Sequence, residues 1–381
     1  MNNLAVLYSF ELKKIVNRKI VWITASAILL ICVLMSLSGV LFSSYTIDGA
    51  QVSAYDYMVK NRANARKLSG RPIDNTLLAE MQADHSRAYN EIYTYAWNLY
   101  DGDDEAVMHT DAASLYAARQ SILQKQWETL KLTPREITYW QSRESSLPAV
   151  YTYEYTKGYQ TILSGTATLN IMLFLLITVC LSGVFSDERL RKTDQLTLCC
   201  RCGRTPLYLA KILAGITFGL GTASLLYAAA AASSLLLYGA DGYSAVLQLI
   251  LPNSSWTLRA GGTVLLFFAL YLLVSVLYSM LAMFLSETLK SGAAAMDLMI
   301  GGMLLSGLIT IGPRLRLASQ IHSYFPDHFL SMESITDNRL VSLFGAQLTN
   351  WQFVLILYPA MALVILITGS LFYRHYQVSS R

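Results

Sequence analysis

Six apolar runs divide the chain: residues 21–42, 166–185, 207–238, 261–285, 293–312 and 351–373. Each reaches about the 20 residues that carry a helix across a bilayer core. Backbone polar groups find no water at that depth, so all six are predicted as transmembrane helices. The third run is the longest and is expected to tilt or to project past one interface. The first exceeds the apolar core of a secretory signal, and no small-residue cleavage pattern closes it. It therefore reads as a retained span.

Polar patterning supplies the rest. In residues 1–20, Leu4, Leu7, Tyr8, Leu12 and Ile15 recur at helical spacing, with Lys13, Lys14 and Asn17 largely opposite. That predicts an interfacial helix feeding the first span. Residues 43–165 form the one substantial polar region, and its pattern predicts helices. The first covers 53–68 and ends at Ser69-Gly70-Arg71-Pro72. The second starts after Asp74 and runs to about Tyr95, with Leu77, Leu78, Met81, His85 and Tyr89 on one face. The acidic stretch 101–105 is a loop, and a third helix covers about 112–130. Thr133-Pro134-Arg135-Glu136 is a capping box with Pro at the first helical position, opening a further short helix. The alternating "YTYEYTKGY" at 151–159 reads either as a strand or as a return to the lipid interface, where Tyr is favoured. Residues 313–350 are too apolar for a simple loop. "SYFPDHFLSMESI" and "RLVSLFGAQL" within them read as short re-entrant helices.

Composition agrees. The 381 residues are 54% hydrophobic and 14% charged, where soluble domains carry about a quarter charged residues. Lys and Arg concentrate before the first run (Lys13, Lys14, Arg18, Lys19), in the second connection (Arg189, Arg191, Lys192, Arg201, Arg204, Lys211), at Lys290 and at the end (Arg374, Arg381). Arg314, Arg316 and Arg339 are the exception, in a long connection. This bias places both ends of the chain in the cytoplasm. It also accounts for the net charge of +4 without a nucleic-acid partner. The expected fold class is an all-α integral membrane protein of six transmembrane helices. An interfacial helix precedes them, and a mainly helical extracellular domain separates the first two.

Catalytic signals are missing. The sequence has no phosphate-cradling G-x-x-x-x-G-K-[ST], no H-E-x-x-H and no G-x-S-x-G. The five histidines, His85, His109, His322, His328 and His375, are scattered. Only His322 and His328 are near neighbours, and they are not expected to hold a metal. Asp297 is the one acidic residue within an expected span, about a turn from its cytoplasmic end, near Lys290. A non-catalytic protein without metal or cofactor is expected. Small residues in 221–234 and 291–307 predict close helix packing. Cys199, Cys200 and Cys202 cluster in the cytoplasmic connection, where disulfides are disfavoured. Three thiols without a fourth ligand make a poor zinc site; packing is the preferred reading over lipidation.

Residues 185–215 carry a more specific pattern: Phe185 and Glu188, then Thr193, Leu196 and Leu198, then Arg204, with Lys211 seven residues later. This resembles the coupling segment of ATP-binding-cassette type-2 exporter permeases, and "ELKK" at 11–14 looks like the opening of the same family. Lys192 and Arg201 depart from it, standing where the family usually has Gly and Pro. The large ectodomain resembles that of a bacterial subset.

The resemblance implies an ATPase-coupling segment, 186–206, with Glu188, Arg189, Arg191, Lys192, Thr193, Arg204 and Lys211 as coupling residues. It also implies an N-terminal interfacial helix carrying Glu11, Lys13, Lys14 and Arg18. Arg204 and Lys211 are expected at the phospholipid headgroups. The implied partners are cytoplasmic ATPase subunits, which bind the ATP, a second permease (identical or related) and membrane lipids. The implied function is export or extraction of a peptide, lipid or hydrophobic drug at the bacterial cell membrane. The alternative is a membrane sensor or resistance protein whose ectodomain binds an extracellular ligand.

Overall fold

The computed structural model describes residues 2–41, 43–47, 50–84, 88–191, 193 and 204–375. Helix α1 (Asn2–Val16) leads through a break at Asn17 and Arg18 into α2 (Lys19–Leu41). A hairpin of β1 (Ser44–Ile47) and β2 (Ala50–Ser53) follows, with Ser44 paired to Ser53. Among the described residues six helices build the polar domain: α3 (Ala54–Leu68), α4 (Asn75–Ala83), α5 (Asn90–Leu99), α6 (Asp104–Met108), α7 (Ala112–Thr129) and α8 (Pro134–Glu144). The chain then enters α9 (Lys157–Leu181), the short α10 (Ser186–Leu190), α11 (Thr205–Tyr238), α12 (Ala260–Thr288) and α13 (Gly292–Leu308). Three short helices, α14 (Arg316–Ser323), α15 (Pro326–Phe329) and α16 (Met332–Thr336), precede a second hairpin of β3 (Val341–Leu343) and β4 (Ala346–Leu348). Helix α17 (Asn350–His375) closes the described chain.

Among the described residues five helices are long and apolar enough to cross a membrane: α2, α9 continued by α10, α11, α12 and α17. The run expected as a fifth span forms α13, an apolar helix of 17 residues. Helix α12 lies at the centre, packed on α9, α11, α13 and α17. By contrast α2 buries only Val21, Ile28 and Cys32, and leaves Ile23, Leu30 and Ile31 exposed. Leu363, Val364 and Ile367 of α17 are likewise exposed. In a bilayer such apolar surface meets lipid rather than water.

Both small-residue runs bury part of their surface, through Ala223, Ala230 and Ser234 in the first and Ala295 in the second, but the tightest approach on α11 lies before the first. A Cβ on Gly219 of α11 would stand 2.1 Å from Ser279 Oγ of α12, and one on Gly215 would stand 2.3 Å from Met283 Sδ. Gly221, Gly301, Gly302 and Gly307 face open space instead. Within 291–307 it is Gly292 that packs closely: a Cβ there would stand 3.0 Å from Ser186 Oγ and 3.3 Å from Ser182 O.

In the polar domain the cap residues set the helix starts. Ser53, Asp74, Asp103 and Asp111 each accept a hydrogen bond from the helix they open, satisfying donors that have no partner inside the helix. The single helix expected from Asp74 to Tyr95 is two, α4 and α5. Asp84 stops the first, and its carboxylate accepts the Ala88 backbone N–H at 2.9 Å; His85 lies outside the described residues. The expected loop at 101–105 contains the start of α6. Residues 151–155 run extended, joined to the domain by an isolated Pro72–Thr152 bridge. Tyr151, Tyr153 and Tyr155 are buried in the domain core with Leu77, Leu78 and Ile92. They serve the core, not the lipid interface.

The segment 313–350 ties this domain to the bundle. Its first apolar stretch forms α15 and α16 as expected, but "RLVSLFGAQL" forms the β3–β4 hairpin. Phe344 (φ 50°) and Gly345 (φ 86°) make the left-handed turn that a two-residue hairpin loop requires. The Trp140 Nε1–H donates to Asn338 O at 2.5 Å, and the Leu340 backbone N–H donates to Glu136 Oε1 at 2.7 Å. The same Glu136 binds the Arg316 guanidinium. From the bundle, Asn170 donates to Pro326 O at 2.7 Å and Tyr358 to Tyr324 O at 3.0 Å. Irregular backbone is thereby satisfied by side chains, as it must be where water is scarce.

Candidate functional site

The two groups of residues singled out by motif meet at the end of the bundle away from the polar domain. Helix α1 lies along α11, with Ile15 buried and Leu4, Leu7, Tyr8 and Leu12 half-buried between them. Glu11 belongs to this inward face and is 4% exposed. Lys14 is one turn on, so both side chains lie on one side of the helix.

Lys211, in the second turn of α11, is fully buried. Its ammonium donates to Glu11 Oε2 at 2.9 Å and to Glu188 Oε1 of α10 at 2.8 Å. Lys14 pairs with the same Glu188 oxygen and, at 3.1 Å, with Glu11 Oε1. Glu11, Lys211, Glu188 and Lys14 thus close a ring of two carboxylates and two ammoniums, with no net charge. Burial lowers the Lys14 pKa, but Glu188 and Glu11 outweigh it and hold the ammonium above its ordinary range.

Aromatic rings cover this cluster. Lys211 Nζ stands 5.5 Å from the Phe185 ring centre. Phe185, Tyr208 and Tyr373 stack together at 5.5–5.9 Å between centres. A buried pair that loses one partner leaves a charge without compensation, so the ring acts as a clamp joining α1, α10 and α11.

A second pair reinforces it. Arg18 Nη2 lies 2.9 Å from Asp187 Oδ2, and the guanidinium reaches the Gly183 and Cys180 carbonyls at the end of α9. Gly183 permits the approach: a Cβ there would stand 2.9 Å from Asp187 Oδ1 and 3.2 Å from Arg18 Nη1.

The far end of α10 faces outward. Leu190 is 86% exposed, and Arg191 is exposed beside it. Arg189 turns back to donate to the Glu287 carbonyl. Thr193 Oγ1 donates to Glu188 O at 3.2 Å. Arg204 is exposed and donates to Arg374 O at 2.9 Å, while Arg374 Nε donates to Thr205 Oγ1 at 3.1 Å. Lys13 is exposed on the far side of α1.

Two sequence expectations change here. Lys211 does not reach the headgroups; it is locked inside the protein. Lys14 does not face away from the bundle, because Glu188 draws it inward. Lys192, Arg201, Cys199, Cys200 and Cys202 lie outside the described residues.

Sequence reasoning missed Glu287. The fourth apolar run stops at Leu285, but α12 continues to Thr288, leaving Glu287 2% exposed with both carboxylate oxygens unpartnered among the described residues. Asp297 is exposed on α13. His322 and His328 stack at 4.2 Å, and their Nε2 atoms lie 3.2 Å from Ser306 O and 2.9 Å from Ser306 Oγ. Among the described residues no group of three or more His, Cys, Asp or Glu gathers to hold a metal.

The fold and this cluster define a mainly helical multi-pass membrane protein with a charge-clamped short helix at one end of its bundle. Comparisons with protein-family models, with curated proteins and with solved structures find no match.

Proposed function

We propose that the chain is the membrane-spanning permease subunit of an ATP-driven transporter, exporting or extracting a peptide, lipid or hydrophobic drug. The observation that carries this reading is the two-sidedness of α10. Glu188 anchors the helix in the buried ring, while Leu190 and Arg191 stand free of the bundle. A helix held this way transmits a push. Movement imposed on Leu190 and Arg191 by a cytoplasmic partner passes through Glu188 and Lys211 into α11, through Glu188, Glu11 and Lys14 into α1, and through Arg18 and Asp187 to the end of α9.

In this reading both ends of the chain are cytoplasmic, α13 completes a six-helix bundle, and the polar domain lies outside the bacterial cell. The nucleotide is bound by a separate ATPase, and a second permease, identical or related, completes the path. The test is a search for a P-loop ATPase encoded beside the gene, followed by reconstitution of the two in vesicles. ATP hydrolysis should require this chain and should fall at least fivefold in Glu188→Ala. Hydrolysis indifferent to the chain would remove the reading.

A further inference from the structure

A groove of about 380 Å³ runs between α11, α12 and α17, with Leu4 of α1 beside it. Leu213 and Leu363 line it and are exposed, so it opens on the outer surface of the bundle. Below the groove α11 and α17 touch. The Tyr208 hydroxyl donates to Leu366 O at 3.3 Å, and a Cβ on Gly369 would stand 2.4 Å from that hydroxyl. Towards the polar domain the facing positions on α17 are Ala362 and Pro359, too small to fill the space. No polar group enters: the lining is hydrocarbon and thioether apart from Tyr358, whose hydroxyl donates away to Tyr324 O at 3.0 Å. Such a groove accepts a hydrocarbon chain and gives a polar ligand no partner.

What stands at its end away from the polar domain is charged. Residues eleven apart lie about three helical turns apart on one face. Thr205 therefore shares the face of Ile216 on α11, and Arg374 that of Leu363 on α17. These two faces are joined: Arg374 Nε donates to Thr205 Oγ1 at 3.1 Å, and Arg204 Nη1 donates to Arg374 O at 2.9 Å. Two exposed guanidiniums thus stand side by side in line with the groove. The bonds they make go to a neutral hydroxyl and a neutral carbonyl, so no carboxylate among the described residues offsets their charge. Helix α11 also starts here without a side-chain cap, and its positive end adds to the field.

The spacing suits a lipid. From Leu366, the groove residue nearest this end on α17, to Arg374 the helix rises about 12 Å. A headgroup layer adds about 5–8 Å to each side of the hydrocarbon core, so the groove lies at acyl-chain depth when the guanidiniums lie at the phosphates. We propose that the groove holds an acyl chain of an anionic phospholipid, whose headgroup is bound by Arg204 and Arg374. A zwitterionic lipid offers the same chain without net charge, so the two guanidiniums set the choice of headgroup. The site does not depend on the transport reading, since it concerns lipid binding alone.

The test is native mass spectrometry of the full chain in detergent, incubated with equal amounts of phosphatidylglycerol and phosphatidylcholine of the same acyl chains. Wild type should retain phosphatidylglycerol over phosphatidylcholine by about fivefold or more. Arg204→Gln/Arg374→Gln should bring the two lipids to equal retention. Ala362→Phe fills the groove without touching either guanidinium and should lower the retention of phosphatidylglycerol, which covers the case of a misfolded double variant. Equal retention of the two lipids by wild type overturns the proposal, as does a preference unchanged in both variants. Lipid-free wild-type dimers that Ala362→Phe dissociates would also overturn it, by giving the groove to a second copy of the chain.

Discussion

The Lys211 ammonium, with no exposed surface, sits 2.8 Å from a Glu188 carboxylate oxygen. The two residues are far apart along the motif that first marked them, yet they form one side of a ring whose Lys211 and Glu11 are buried.

Replacing Lys211 by Met leaves Glu11 and Glu188 with only Lys14 between them. Removing one partner of a buried pair costs about 3–5 kcal/mol, so the thermal midpoint in detergent should fall markedly. The double variant Lys211→Met/Glu188→Gln restores neutrality, leaving Glu11 opposite Lys14. Its midpoint should lie above that of Lys211→Met. If the two losses simply add, the charges do not form a ring.

Gly158 and Gly165 lie two turns apart on α9 and should respond oppositely to alanine. A Cβ at Gly158 would stand 2.3 Å from the Gly239 backbone oxygen, whereas one at Gly165 has nothing within 4 Å. Gly158→Ala must push α9 away from the end of α11, at about 1–3 kcal/mol. Gly165→Ala gains helix propensity and should be neutral or mildly stabilising. Thermal midpoints of the two variants, side by side, check the contrast.

Trp140→Phe keeps most of the ring but removes the N–H that Asn338 O accepts. The carbonyl, left buried without that donor, should cost about 1–3 kcal/mol. The loss should appear locally, as faster hydrogen exchange in α8 and in 336–340, because these contacts join the polar domain to the segment before α17. Exchange unchanged in that segment would show that the junction is held elsewhere.

Glu136 makes the same junction sensitive to acid. Burial raises its pKa, but the Leu340 and Thr133 N–H donors and the Arg316 guanidinium outweigh it and hold the carboxyl below the ordinary carboxylate range. A folded-state pKa below the unfolded one gives stability that is complete above the unfolded value. It is lost as pH falls through the folded value. Protection of the Leu340 amide should therefore hold from neutral pH down to the ordinary range and fail below it. Glu136→Gln should flatten that dependence; a profile identical to wild type would assign the acid sensitivity to another group.

Much of the domain's helical framework was legible locally. Thr133-Pro134-Arg135-Glu136 forms the capping box it spells, with the Thr133 N–H donating to Glu136 Oε2 at 2.7 Å. Ser53, Asp74 and Asp111 mark starts because capping needs only neighbouring atoms. What failed was decided at a distance. The apolar "RLVSLFGAQL" fits a helix or a hairpin, and Phe344-Gly345 together with Trp140 and Glu136 settles it as a hairpin. Glu11 and Lys211 were singled out by motif, but their burial arises only when α1 lies along α11. Tyr151, Tyr153 and Tyr155 alternate as a strand does, and nothing local says that a domain core rather than lipid awaits them.

The most direct test of the permease account is stoichiometric association with the P-loop ATPase subunit that the account requires, in Leu190→Glu and Arg191→Glu variants. Leu190 is 86% exposed and outside the ring, so the fold and its thermal midpoint should be unaffected. The account predicts that the ATPase no longer co-purifies at wild-type stoichiometry and that ATP hydrolysis in vesicles loses its dependence on the chain. Unchanged association and hydrolysis in both variants would contradict it.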